Sequence, residues 1–157
     1  KFLGLYFQAE QTPCYDSRIT VVKNRKDSQG IPKVKVKIKF NKIDKKTILK
    51  AHEYFVQRFI KIKAGKFQKK YNKKILTNLL EKRIKNFDSG SHNLGTTRMA
   101  KNDVTGVVDK NCKVFGFKNL FIAGSSVFPT GGHANPTLTI VALALRLSDY
   151  LQKKLKK

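Results

Sequence analysis

The hydrophobic residues of segment 33–40 alternate with charge. Valine, isoleucine and phenylalanine occupy the even positions and lysine the odd ones. A period of two predicts a strand with one buried and one solvated face. The short β-branched segment 18–22 and the turn residues of 27–30 complete a predicted β-hairpin whose apolar face points inward. A solvated role for the lysine face is favoured over a ligand-binding strip.

From Asp44 onward the hydrophobic period lengthens to that of a helix. With Asp44 as the N-cap, the pattern predicts an amphipathic helix over 45–63 and a weaker helix over 75–84. His52 lies on the first helix and is expected to be a surface or boundary residue. The apolar residues that set the period are Ile48, Ala51, Phe55, Phe59 and Ile62.

After Asp88 the composition shifts to glycine, threonine, asparagine and small apolar residues. Segment 119–124 predicts a buried strand that ends on a glycine, and the loop 125–134 follows it. Asn135 is the predicted N-cap of a helix that has Pro136 at its first position and runs to about residue 155. A strand, a glycine-containing loop and a helix start form ligand sites in α/β proteins, but every α/β crossover shares this pattern. The pattern alone leaves both readings open.

Charge adds a second candidate function. The formal net charge is +24, from 34 basic and 10 acidic residues, which raises nucleic acid as a partner. Of the basic residues 28 are lysine, whereas nucleic-acid recognition favours the bidentate arginine fork. Twenty-two of the 34 fall within 23–85. Nucleic-acid binding is therefore disfavoured and is kept as an alternative.

Several other classes are disfavoured by what the sequence lacks. The longest apolar stretch, 138–145, is far shorter than the ~20 residues of a membrane span. The chain opens at Lys1 without a charged-then-apolar leader, so no secretory signal is expected. Cys14 and Cys112 have no metal-ligand spacing, so we expect no metal site and a reducing, cytoplasmic compartment.

Two polar residues carry the candidate chemistry. His92 lies in a loop without helical or strand period, where an imidazole can act as a base near neutral pH or be an ordinary loop residue. Asn135 can donate and accept hydrogen bonds at the start of a helix whose N-terminus carries partial positive charge. Neither a Ser-His-Asp order, a Walker motif nor paired carboxylates are visible.

Five short segments, which follow one another along the chain, give a more specific indication of function. They resemble the C-terminal signature of the glucose–methanol–choline family of flavin-dependent oxidoreductases. The sequences VFGFKNLF and ANPTLT look especially like those of the family branch that includes pyranose oxidases and bacterial choline-dehydrogenase-like flavoproteins. A weaker similarity to the family's EQxPxxDSRV segment covers 10–20. The five segments are 91–99 (SHNLGTTRM), 106–109 (GVVD), 113–124 (KVFGFKNLFIAG), 126–130 (SVFPT) and 134–140 (ANPTLTI).

The resemblance implies an α/β fold, or α+β for the chain alone. It assigns 1–88 to the end of a substrate-binding domain of sheet and helices. It assigns 89–157 to the returning strand and helix of a flavin-binding domain. The implied reaction oxidises a CH–OH group of an alcohol or sugar by hydride transfer to N5 of FAD. His92 would take the hydroxyl proton, and Asn135 would be its partner, whereas His133 does not align with that pair. The implied cofactor-binding residues are Gly124, Ser125, Asn135, Pro136 and Thr137.

The sequence departs from the family in two respects. The family commonly has cysteine where this chain has Thr97, a change expected to affect only packing. No GxGxxG occurs in the chain, so half of the FAD site is expected on an N-terminal segment that this sequence lacks. An inactive truncated fragment is therefore a second alternative.

Overall fold

The computed structural model describes residues 7–66, 73–86 and 92–156. Within these ranges the chain forms a two-stranded antiparallel sheet and three α-helices, consistent with the predicted fold class. It divides into two compact units: Lys1–Cys14 with Phe40–Ser91, and Tyr15–Lys39 with His92–Lys157. The predicted boundary at residue 88 lies outside the described residues, and the domain assignment stays a prediction. The elements are β1 (Arg18–Lys26), β2 (Pro32–Lys37), α1 (Lys42–Lys61), α2 (Lys73–Lys85) and α3 (Thr137–Leu155).

Strands β1 and β2 form the predicted hairpin. Ile19 pairs with Val36 and Val21 with Val34, so the four side chains share one face. In the turn, both the Gln29 and the Ile31 N–H groups donate to one carboxylate oxygen of Asp27, at 2.9 Å each. The hairpin and its turn are therefore confirmed, although β2 ends at residue 37 and not at residue 40.

The inward direction of the hairpin's apolar face is wrong for the described residues. Val34 and Val36 are each 60 % exposed, and Ile19 and Val21 are exposed as well. Strict alternation of apolar and charged residues is typical of a strand with one covered face, but a two-stranded sheet cannot cover its own face. In the described residues this apolar face is left exposed.

Residues of the 16–20 segment close the open end of the hairpin. The Ser17 hydroxyl donates to the Lys39 carbonyl at 2.9 Å and accepts from the Lys39 N–H at 2.8 Å. The Lys39 ammonium also donates to Asp16, and this hydrogen bond lowers the pKa of the Asp16 carboxyl. The segment that resembles the family's upstream motif therefore has a structural task at this end of the sheet.

Helix α1 begins three residues earlier than predicted, and its N-cap is Asn41, so the N-cap assignment of Asp44 is wrong. Asp44 is the third helical residue and is only 5 % exposed. Its carboxylate accepts from the backbone N–H groups of Asn41 at 2.6 Å and Thr12 at 2.7 Å. One donor belongs to the helix start and the other to the preceding segment, so Asp44 ties the two together.

Helices α1 and α2, which belong to the first compact unit, are joined at the surface. Lys45 of α1 forms an ion pair with Glu81 of α2 at 3.3 Å. The ring of His52 lies 5.9 Å from that of Phe7 and is half-buried, which confirms it as a boundary residue. Of the apolar residues that predicted this helix, Ala51 and Phe55 are nevertheless exposed, and so is Ile62, which is the C-cap of α1.

The second unit contains a small core. Helix α3 packs Ile140, Leu143 and Leu147 against it, and Val108 and Val127 are fully buried. Two cationic side chains of α3 also reach neutral backbone: Arg146 donates to the Lys110 carbonyl at 2.6 Å, and Lys154 to the Lys118 carbonyl at 3.3 Å. The buried core residues are Val108, Cys112, Val114, Val127, Phe128 and Leu147.

The predicted buried strand over 119–124 is wrong in the described chain. Only Phe121 takes part in sheet pairing, through an isolated bridge to Lys113, and Leu120 is 45 % exposed. Backbone hydrogen bonds tie the segment to residues 112–114 alone. A buried strand needs neighbours on both edges and cover on both faces, which the described residues do not supply.

Within those residues, no helix has the length and apolar character required to cross a bilayer.

Replacing Asp44 by asparagine should destabilise the protein by about 1–3 kcal/mol, because the buried, charged acceptor of two part-buried hydrogen bonds becomes a neutral amide. Urea unfolding followed by circular dichroism measures this change. Asp27→Asn is the matched control, because Asp27 also accepts from two backbone N–H groups but lies in an exposed turn. Equal losses in the two variants would contradict the anchoring role of Asp44.

Candidate functional site

The segment that follows His92 is hydrogen-bonded along a 3-10 turn formed by Ser125–Val127. The N–H groups of Gly95, Thr97 and Met99 donate to the carbonyls of residues 125, 126 and 127, at 3.2, 2.9 and 2.8 Å. Alternate residues of an extended segment thus meet consecutive residues of the turn. We call these three bonds the ladder. They bring the histidine-containing segment to the end of segment 119–124.

Two hydroxyl groups strengthen the ladder. The Ser125 hydroxyl donates to the Asn93 carbonyl at 2.9 Å, and the Thr97 hydroxyl donates to that of Ser126 at 2.8 Å. Thr97 therefore does more than pack, which corrects the expectation for this position. The sequence signal that could have found the pair is the occurrence of two serines where a buried strand was predicted to end.

Gly124 precedes the turn with φ 111° and ψ −178°. This backbone conformation is essentially restricted to glycine, because a side chain there clashes with its own backbone. A Cβ atom built at Gly124 would meet no heavy atom within 4 Å, so open space adjoins the chain here. The predicted cofactor-binding role of Gly124 is compatible with this space and stays a prediction.

The loop between the turn and α3 returns to the histidine-containing segment. A Cβ atom at Gly131 would lie 3.1 Å from the Leu94 side chain, so these two residues are in close contact. Gly132 has φ 65°, and residues 132–135 are exposed. The loop that leads to Asn135 therefore passes within contact distance of a residue two positions from His92.

Helix α3 begins one residue later than predicted. Thr137 is its first residue, Pro136 is the N-cap with a helical conformation, and no side chain caps the helix start. Asn135 is thus not the N-cap, because the fixed ring of Pro136 already adopts the dihedrals that begin the helix. The first-turn N–H groups are left without a side-chain acceptor, and residues 137–139 are exposed.

His92 and Asn135 are both exposed. Their neighbours are brought together through the contacts of Asn93 with Ser125 and of Leu94 with Gly131. Convergence of the two side chains on one cleft stays a prediction, as do the cofactor-binding roles of Ser125, Pro136 and Thr137. Within the described ranges, no three His, Cys, Asp or Glu residues are grouped to hold a metal ion.

Several known proteins are similar to all or part of this chain. The protein 2-methyl-1,2-propanediol dehydrogenase of Mycolicibacterium austroafricanum is 28 % identical over 152 residues, which cover 97 % of this chain and 25 % of that protein. Pyranose 2-oxidase of Tricholoma matsutake is 44 % identical over 55 residues, covering 35 % of this chain and 10 % of that protein. Cholesterol oxidase of Acinetobacter baumannii is 38 % identical over 64 residues, covering 41 % and 12 %.

The chain thus spans at most a quarter of the length of these relatives. A family model described as GMC oxidoreductase, for the C-terminal part of that family, matches residues 13–144. This match extends from the hairpin through the ladder to the second turn of α3, so it includes every predicted site residue. The chain therefore belongs to the GMC oxidoreductase family and corresponds to its C-terminal region.

Proposed function

We propose that residues 1–157 form the C-terminal part of an FAD-dependent oxidoreductase that oxidises a CH–OH group of an alcohol or sugar. The observation that carries the proposal is the ladder, which joins the His92 segment to the turn before α3. FAD, when bound, accepts the hydride at N5 and carries the redox chemistry. The chain's own residues have to bind the substrate oxygen, remove its proton and stabilise negative charge.

The described residues fit this cofactor in three respects. The Gly124 backbone adjoins open space, which a planar ring or a close-approaching group can occupy. The uncapped N–H groups at the start of α3 are donors for a carbonyl or an anionic ring edge. The first turn of α3 contains no acidic residue that would repel such a group.

His92 is proposed to take the proton of the substrate hydroxyl. A neutral imidazole can accept a proton near neutral pH, and the exposed position leaves the ring accessible to a substrate. Asn135 is proposed to hold the same oxygen through its amide, and it lies directly before the N-cap of α3. The two roles differ, because only His92 changes its protonation state.

The remaining half of the FAD site is proposed to come from polypeptide outside residues 1–157. One face of α3 packs on the core, but Leu138, Val141 and Leu145 lie outside that contact and are 82, 50 and 63 % exposed. A helix that is apolar on two faces is normally covered on both. Segment 119–145 also contains no Lys, Arg, Asp or Glu, in a chain that is 28 % charged. We call the side chains of Leu138, Val141 and Leu145 the exposed α3 stripe.

Exchange of His92 for alanine tests the proton-transfer role. The assay uses a chimera of 2-methyl-1,2-propanediol dehydrogenase in which residues 1–157 replace the matching 152-residue segment. His92→Ala should lower kcat by about 10²–10⁴-fold, because an acid–base group is lost, and leave the bound flavin absorbance unchanged. Asn135→Ala should lower kcat less. Turnover with an alcohol and a pyranose measures both.

His133→Ala serves as the control for His92, because His133 is also exposed and lies outside the proposed pair. Its kcat should match that of the parent chimera. A His92→Ala chimera with parental turnover would overturn the proton-transfer role. A parent chimera that binds flavin but oxidises neither substrate would refute the proposed function.

Residues 1–157 alone should bind FAD weakly. No GxGxxG helix start is present to hold the pyrophosphate, and the proposed residues would hold only the ring system. Isothermal titration of the purified chain with FAD should show no stoichiometric, tight binding, whereas the chimera should retain flavin through gel filtration. Tight binding by the isolated chain would contradict the division of the site.

A lysine placed on the exposed α3 stripe tests its proposed cover. Val141→Lys and Leu145→Lys should reduce the flavin retained by the chimera, because a buried unpaired charge opposes docking. Leu155→Lys is the matched control, since Leu155 is 84 % exposed on the same helix but lies beyond segment 119–145. Flavin content per mole of folded chimera is the measurement. Equal retention by all three variants would show that the stripe remains solvated.

A further inference from the structure

Ser125 makes the hydrogen bond nearest to His92 along the described chain. Its hydroxyl donates to the carbonyl of Asn93, the next residue, at 2.9 Å. Its own carbonyl accepts from Gly95 at 3.2 Å. The side chain and the backbone of one residue therefore hold both the first and the third residue after the histidine. The other two ladder bonds act further away, at Thr97 and Met99.

The backbone of Ser125 is held in place by the residues on either side of it. Gly124 precedes it in a conformation that side chains rarely adopt, and Val127, which follows in the same turn, is fully buried. The N–H of Phe128, itself 7 % exposed, also donates to the Ser125 carbonyl at 3.1 Å. The serine hydroxyl thus extends from a packed part of the core toward an exposed segment that has no regular secondary structure.

A base that removes a proton has to be held close to its productive position. A misplacement of ~1 Å can lower the rate about 10²-fold. His92 lies on an exposed segment without a helix or strand to orient it. Its orientation therefore depends on what holds the backbone beside it, and in the described chain the Ser125 hydroxyl holds the adjacent carbonyl.

We propose that Ser125 is a positioning residue for His92. This inference rests on the proposed function, in which His92 takes the substrate proton. The Ser125 hydroxyl proton is directed at Asn93, so the side chain orients the histidine segment. Contact with the cofactor at this position then falls to the backbone.

The first test uses the isolated 157-residue chain and needs no cofactor. In ¹⁵N-labelled protein, Ser125→Ala should lower the backbone order parameters of residues 93 and 94 from about 0.85 toward 0.6, the range of flexible segments. Ser125→Thr, which keeps a hydroxyl, should restore them. Ser126→Ala is the matched control: it removes the acceptor of the Thr97 hydroxyl but leaves the Asn93 bond in place.

The second test uses the chimera. Ser125→Ala should lower kcat about 10–100-fold with KM and flavin content unchanged, because the base is misplaced while substrate and cofactor contacts remain. Ser125→Thr should recover most of this loss, and Ser126→Ala, which leaves the Asn93 bond in place, should lower kcat far less than Ser125→Ala does. A merely structural role would change flavin content and KM together with kcat.

The outcomes separate the two proposals. Unchanged order at residues 93 and 94 in Ser125→Ala, or an equal loss of order in Ser126→Ala, would overturn the positioning role. A Ser125→Ala chimera with parental kcat would overturn it as well. A parent chimera that binds flavin but oxidises neither substrate would refute the oxidoreductase function, while the order parameters would still decide whether Ser125 holds the His92 segment.

Discussion

The ladder between residues 95–99 and the turn at Ser125–Val127 connects the two parts of the sequence that carry candidate chemistry. His92 and Asn135, the residue before the N-cap of α3, are 43 positions apart in the chain. Their approach depends on the burial of Val127, which fixes the turn, and on the three N–H groups that meet its carbonyls. Buried backbone groups need partners, so loss of this register would expose the turn and release the loop together.

Features with a local cause could be predicted from the sequence. Alternation and turn chemistry located the hairpin, and helical periodicity located the three helices to within a few residues. The errors at the helix starts also have local causes. Asp44 and Asn135 are both good capping residues, but Asn41 stands in extended conformation before α1, and the ring of Pro136 begins α3.

Features that depend on distant or external partners could not be predicted. The hydrogen bond from Ser125 to Asn93 joins residues 32 positions apart, and no periodicity reports it. The inward hairpin face and the strand at 119–124 failed for a related reason. Each pattern is typical of an environment that the described residues do not supply. Family resemblance is what proposes His92 and Asn135 as site residues, and only the coordinates could link their neighbours.

The hydrogen bonds of Arg146 and Lys154 to backbone carbonyls bear on how the stability of this highly charged chain depends on ionic strength. Their acceptors are neutral backbone oxygens, and three ion pairs, all between exposed groups, occur within the described ranges. Dissolved salt weakens repulsion among the chain's many uncompensated lysines but has little effect on direct contacts to carbonyl groups. The folded chain is thus expected to be more stable in moderate salt than in dilute buffer.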